Sequence, residues 1–146
     1  MARKKVAKSK RPEAERAAEH YLYNIFRCLP EQIIRAVRTR FQRQDLWASD
    51  VMGRDLAGRC YFAQATAGGD EAVRTRRRKL EKICWNEFDN VMLLQLVETI
   101  NPANARRKLF FFRVHCYNRL SKKWVVDETA HPVPKEWFKK LRVETE

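Results

Sequence analysis

Residues 91–99 constrain the fold most, because the run from Val91 to Val97 is apolar at every position except Gln95. A strand with one buried face alternates apolar and polar side chains, whereas a nearly continuous apolar run is typical of a central strand covered on both faces. The segment therefore predicts a layered fold in which helices pack against a sheet.

The remaining pattern supplies the other elements in order. Helical spacing of apolar residues predicts a first helix from Pro12 to near Pro30. Strands are predicted over 33–41, 45–51, 59–66, 91–99, 109–117 and 124–126, a basic helix over 71–83 and a short last helix over 135–141. Residues 33–41 also fit a helix. The order predicts an α/β fold, a mixed sheet flanked by helices.

Length and composition predict one folded domain. The chain has 146 residues, of which 45% are hydrophobic and 34% charged, enough apolar material for a core. We expect a basic flexible tail over residues 1–11 and a single nucleic-acid-binding domain over 12–146. Without an apolar run long enough to span a bilayer, and without a signal sequence, a cytoplasmic protein of a cell or virus-infected host is expected.

The formal net charge of +13 predicts a polyanionic partner. Nucleic acid, and specifically DNA, is the expected partner, rather than an anionic membrane. The candidate phosphate-binding residues are Arg74, Arg76, Arg77, Arg78, Lys79 and Lys82 in the predicted basic helix, and Arg106 and Arg107 in a later loop. No helix-turn-helix or zinc-finger pattern is present, so we expect recognition of backbone and shape.

Polar residues at the strand ends predict a site. Asp45 opens one predicted strand, and Gln64 and Thr66 end the next. Side chains two residues apart in a strand share a face, so Gln64 and Thr66 should point the same way, toward whatever Asp45 presents from the neighbouring strand. Glu15 adds a carboxylate in the first helix.

The order of these pieces resembles the PD-(D/E)XK nuclease superfamily, and within it the Holliday-junction-resolvase-like branch. The matching segments are Glu15 in its helix, Asp45 followed by Leu-Trp-Ala, and the strand 61–66 that ends in Gln-Ala-Thr, followed by a basic helix. The resemblance implies a restriction-endonuclease-like fold and a DNA endonuclease acting on branched DNA, as a homodimer. It also implies Glu15, Asp45, Gln64 and Thr66 as catalytic residues, with Mg²⁺ or Mn²⁺ held by Asp45 and Gln64.

The sequence departs from the family pattern at Thr66, where a lysine is expected. The missing positive charge could come from Arg74, Arg77, Arg78 or Lys79 of the following helix. Asp50 is a competing carboxylate, although a regular strand would put it on the opposite face from Asp45. The alternative function is a non-catalytic nucleic-acid-binding protein, structural or ribosome-associated, on a degenerate nuclease fold.

Overall fold

The computed structural model describes residues 11–36, 47–104, 106–127, 129 and 131–141. These residues form two α-helices, α1 (Arg11–Phe26) and α2 (Asp70–Glu81). They also form two short 3-10 helices, at Pro30–Gln32 and Lys135–Phe138. The strands are β1 (Ile34–Arg35), β2 (Val51–Arg54), β3 (Cys60–Thr66), β4 (Asp89–Ile100), β5 (Lys108–Asn118), β6 (Lys123–Val126) and β7 (His131–Pro132).

These strands form one mixed sheet in the order β1-β2-β3-β4-β5-β6, and β7 pairs with β5. Only β3 and β4 pair in parallel, while the other pairs are antiparallel. A parallel pair needs a long crossover connection, and α2 supplies it. The predicted α/β class with a mixed sheet is confirmed.

Helix α1 covers one face of the sheet. Its small side chains Ala14, Ala17 and Ala18 are fully buried and let the helix approach the sheet closely. Tyr21 contacts Phe112 of β5 edge to face, with ring centroids 5.7 Å apart. This face carries the larger hydrophobic core.

Helix α2 covers the opposite face. Its Leu80 is buried with Phe62, Trp85 and Val91, and the indole nitrogen of Trp85 donates to the Leu80 carbonyl at 2.7 Å. Residues 91–96 of β4 are all buried between the two helical layers. The prediction of a central strand covered on both faces is therefore confirmed.

The β2–β3 hairpin sets the register that positions the polar strand ends. Asp55 in its turn accepts hydrogen bonds from the Arg59 backbone N–H at 3.0 Å and from the Tyr61 hydroxyl at 2.9 Å. With the turn fixed, Val51 pairs with Ala63, so the residues just before β2 lie beside the end of β3.

Several predicted boundaries were wrong. Helix α1 ends at Phe26 because Arg27 takes a left-handed conformation (φ 59°), and the last helix is only a 3-10 turn. The second predicted strand begins at Val51, because Trp47 and Ala48 have φ of 52° and 57°. Strand β7 was not predicted. Residues 1–10 of the predicted tail and 37–46 lie outside the described residues.

In the described part of the chain, no helix is both long and apolar enough to cross a membrane.

Candidate functional site

Asp50 sits immediately before β2 and is held rigidly between its neighbours. Its backbone N–H donates to the Ala63 carbonyl at 2.9 Å, and its carbonyl accepts from Ala36 at 2.8 Å. The carboxylate is buried, and its Oδ2 accepts the backbone N–H of Ala65 at 3.0 Å. Asp50, named in the sequence analysis as a competing carboxylate, thus lies beside the end of β3.

Gln64 is fully buried in β3, and its amide has a defined orientation. Nε2 donates to the Ala48 carbonyl, and Oε1 therefore faces the other way, toward α2. There it accepts a hydrogen bond from Nη1 of Arg76 at 2.6 Å. The oxygen predicted as a ligand points into the layer between β3 and α2.

Arg76 joins the two oxygens. The same Nη1 that contacts Gln64 forms an ion pair with Asp50 Oδ2 at 3.2 Å. Its side chain is 13% exposed, so the guanidinium lies largely inside the protein. Arg76 was predicted as a phosphate-binding residue, and in the structure its guanidinium brings positive charge from α2 to Asp50 and Gln64.

Thr66 shares the α2 face of β3 with Gln64, as predicted from strand alternation. Its hydroxyl oxygen accepts the backbone N–H of Gly68 at 3.0 Å. Thr66 therefore shapes the loop between β3 and α2. As a neutral residue, it cannot supply the cation.

Glu15 lies on the other side of the sheet. Its Oε2 pairs with Arg35 Nη2 of β1 at 3.0 Å, and Glu19 pairs with the same guanidinium at 3.2 Å. Burial raises the pKa of Glu19, and the Arg35 charge partly offsets this. The pair with Arg35 gives Glu15 a structural role at the contact between α1 and β1. Asp45, predicted as catalytic and metal-binding, lies outside the described residues.

The predicted basic residues divide into two groups. Those that are exposed are Arg74 and Arg78 on α2, Lys82 just after it, and Arg106 and Arg107 in the β4–β5 turn. Arg76, Arg77 and Lys79 are only partly exposed. The first group can contact phosphates directly, whereas Arg76 and Arg77 are engaged inside the fold.

Arg77 begins a hydrogen-bond chain that the sequence analysis missed. Its Nη2 donates to Nδ1 of His115 in β5, and its guanidinium lies 5.1 Å from the Trp124 ring centroid. Because arginine can only donate, the Nε2 of His115 carries the proton and donates to Gln95 Oε1 at 3.1 Å. Gln95 Nε2 donates in turn to the Gly68 carbonyl at 3.1 Å, which ties β5 to the loop after Thr66.

His115 is neutral at physiological pH. Burial lowers its pKa to about 4, and the charges of Arg77 and Arg113 act in the same direction. The neutral imidazole is the form that can accept from Arg77. A cleft of about 400 Å³ lies beside the hydrogen bond between Arg77 and His115, and its lining includes Arg74, Arg77, Arg78 and Trp124.

Within the described ranges, no three His, Cys, Asp or Glu side chains are close enough to share a metal ion. At the end of β3, the Gln64 amide oxygen and the Asp50 carboxylate both bond to Arg76. No protein-family model matches this chain, and neither does any curated protein or solved structure.

Proposed function

We propose that this protein is a metal-dependent endonuclease of the restriction-endonuclease-like fold that binds branched DNA through its backbone, with its active site at Asp50 and Gln64. One observation carries the proposal. Two oxygens from adjacent strand ends, Asp50 Oδ2 and Gln64 Oε1, converge on one guanidinium nitrogen that comes from the basic helix.

The donor set suits Mg²⁺ or Mn²⁺. Both ions prefer oxygen ligands, and a carboxylate and an amide oxygen are among the groups that bind them in proteins. Asp50 and Gln64 both bond to the same atom of Arg76, so a cation that binds both oxygens would take the place of that guanidinium nitrogen, and the Arg76 side chain would have to move aside. When bound, such a metal activates water and balances the negative charge on the phosphate.

The chain's own residues supply the rest of the site. The Ala65 N–H fixes Asp50, and the Ala48 carbonyl fixes the Gln64 amide, so both oxygens are preorganised. Once displaced from the two oxygens by the metal, the Arg76 guanidinium would offer positive charge to the scissile phosphate. Arg74 and Arg78, exposed on the same helix, would hold the flanking phosphates.

The test is cleavage of labelled four-way-junction and duplex DNA in Mg²⁺ or Mn²⁺. Wild type should cut, and Asp50→Asn should bind but lose at least about a hundredfold in rate, the scale of removing a group that supports the transition state. Glu87→Gln, which removes an exposed carboxylate, is the matched control and should cut normally. Binding by wild type without cutting in either metal would refute the nuclease.

The second candidate is a non-catalytic nucleic-acid-binding protein, and one observation favours it. Arg76 already neutralises Asp50 and bonds to Gln64, while Thr66 bears no charge. In this case the arginine takes the place of a metal and the network is structural. Calorimetric titration with Mn²⁺ separates the two: wild-type binding that Asp50→Asn abolishes supports the nuclease, and no binding supports the alternative.

A further inference from the structure

The hairpin formed by β4 and β5 extends beyond its neighbour β3. Strand β3 ends at Thr66, which pairs with Gln95, whereas β4 continues to Ile100. The five residues that follow Gln95, up to Ile100, extend about 17 Å further at the rise of a β-strand. Among the described residues, this part of β4 pairs only with β5.

This extension projects from the end of the sheet at which the proposed active site lies, where β3 ends. Strands β3 and β4 run parallel, so both point toward the end where Gln64 and Thr66 lie. Helix α2 begins there, at Asp70, and runs back toward the opposite end, where Leu80 packs on Phe62 and Trp85. The hairpin therefore extends past both the site and the helix.

The hairpin is built as a firm element. In its turn, Asn101 Oδ1 accepts from the Ala103 N–H at 2.9 Å and Asn104 Oδ1 accepts from the Arg106 N–H at 3.1 Å. Its base is braced by β7, which pairs with Phe111 and Phe112. The Phe110 ring packs edge to face on Phe138 at 4.9 Å.

The tip beyond this brace combines positive charge with apolar side chains. Arg106 and Arg107 are exposed at the turn, and Lys108 pairs with Glu98 at 2.7 Å. Ile100 is 71% exposed and Leu109 44% exposed. A basic tip flanked by two exposed apolar side chains is complementary to a nucleic-acid groove, where phosphates line the rim and base edges form the floor.

We infer that this hairpin enters the major groove of a B-form DNA duplex beside the active site, so that Arg106 and Arg107 hold phosphates across the groove. The inference rests on the proposed function and names its substrate as duplex DNA. The major groove, about 12 Å wide, admits a two-stranded ribbon. The deep, narrow major groove of an RNA duplex does not.

The experiment measures equilibrium binding to fluorescein-labelled DNA two helical turns long. The double variant Arg106→Ala/Arg107→Ala should bind about tenfold more weakly, with the slope of log K against log salt reduced by about 2. The control is Lys122→Ala/Lys123→Ala, which removes the same charge from exposed residues at the opposite end of β5. It should change affinity less than threefold.

Groove entry is tested with a second duplex whose cytosines carry glucosylated hydroxymethyl groups, which block the major groove and leave the phosphates intact. Wild type should lose about tenfold on this DNA, and the Arg106/Arg107 variant should lose little. An equal loss for both proteins, or equal effects of the two double variants, would overturn the inference and leave the proposed function standing. The proposed function fails separately if wild type binds four-way-junction and duplex DNA but cuts neither in Mg²⁺ or Mn²⁺.

Discussion

Arg76 and Asp50 form an ion pair at 3.2 Å in which the carboxylate is fully buried and the arginine side chain only 13% exposed. The partners lie 26 residues apart and connect α2 to the start of β2. Removing one member of such a pair leaves the other charge buried without compensation, which costs more than the pair contributes when intact.

The first prediction is that these two residues are strongly coupled in stability. Asp50→Ala should lower the free energy of unfolding by about 3 kcal/mol, because it leaves the Arg76 charge and the Ala65 N–H without their partner. In the double variant Asp50→Ala/Arg76→Met the loss should be smaller than the sum of the single losses by about 1 to 3 kcal/mol. Urea denaturation of the four proteins measures this coupling.

The control for this cycle is the pair of Lys108 and Glu98 on the β4–β5 hairpin. Its lysine side chain is 64% exposed, so solvent screens the interaction. A coupling energy below about 1 kcal/mol is expected there. If the buried pair showed no larger coupling than this exposed one, Arg76 would not be neutralising Asp50.

The second prediction concerns the exposed arginines of α2. Arg74→Ala/Arg78→Ala should reduce the slope of log K against log salt for duplex DNA by about 2, since each lost phosphate contact releases about one counterion fewer. Lys135→Ala/Lys139→Ala removes two exposed charges beside the 3-10 helix that packs with α1, on the opposite face of the sheet. Equal slopes for the two variants would indicate nonspecific attraction to net charge.

The sequence predicted those features of the fold that follow from the side-chain pattern of a single strand. The double burial of residues 91–96 and the shared face of Gln64 and Thr66 follow from composition and alternation alone. Asp50 was predicted to lie on the opposite face from Asp45 if a regular strand ran from residue 45. The chain instead turns at Trp47 and Ala48 and begins β2 at Val51.

The contacts of Arg76 with Gln64 and of His115 with Arg77 depend on how α2 packs on the sheet, and no local sequence pattern specifies that packing. A partial signal was present, however. Arg76 and Arg77 fall between Val73 and Leu80 at helical spacing, on the stripe that packs against the sheet. Arginines on such a stripe face the interior, so the run of basic residues could have been divided into buried and exposed members.

The third prediction tests the loop between Thr66 and α2. A methyl group added at Gly68 would lie 2.6 Å from Cβ of Ala72, so Gly68→Ala should lower the unfolding free energy by about 1 to 3 kcal/mol through overpacking. At Gly69 the added atom meets nothing within 4 Å. Gly69→Ala should therefore cost less than about 1 kcal/mol, a small capping effect. Thermal unfolding of both variants compares them directly, and equal losses would contradict the packing argument.

The fourth prediction is a pH dependence of stability that depends on His115. Burial and Arg77 lower the pKa of this residue to about 4 in the folded protein, whereas the unfolded chain has a value of about 6.5. Between these values the unfolded state binds the extra proton, so His115 destabilises the fold progressively as the pH falls from about 6.5 to about 4. Relative to His115→Gln, whose amide oxygen can still accept from Arg77, wild type should lose about 1 to 3 kcal/mol over this window. Urea denaturation at several pH values measures the difference in unfolding free energy between the two proteins. A difference that stays constant with pH would show that burial and Arg77 do not lower the pKa of His115.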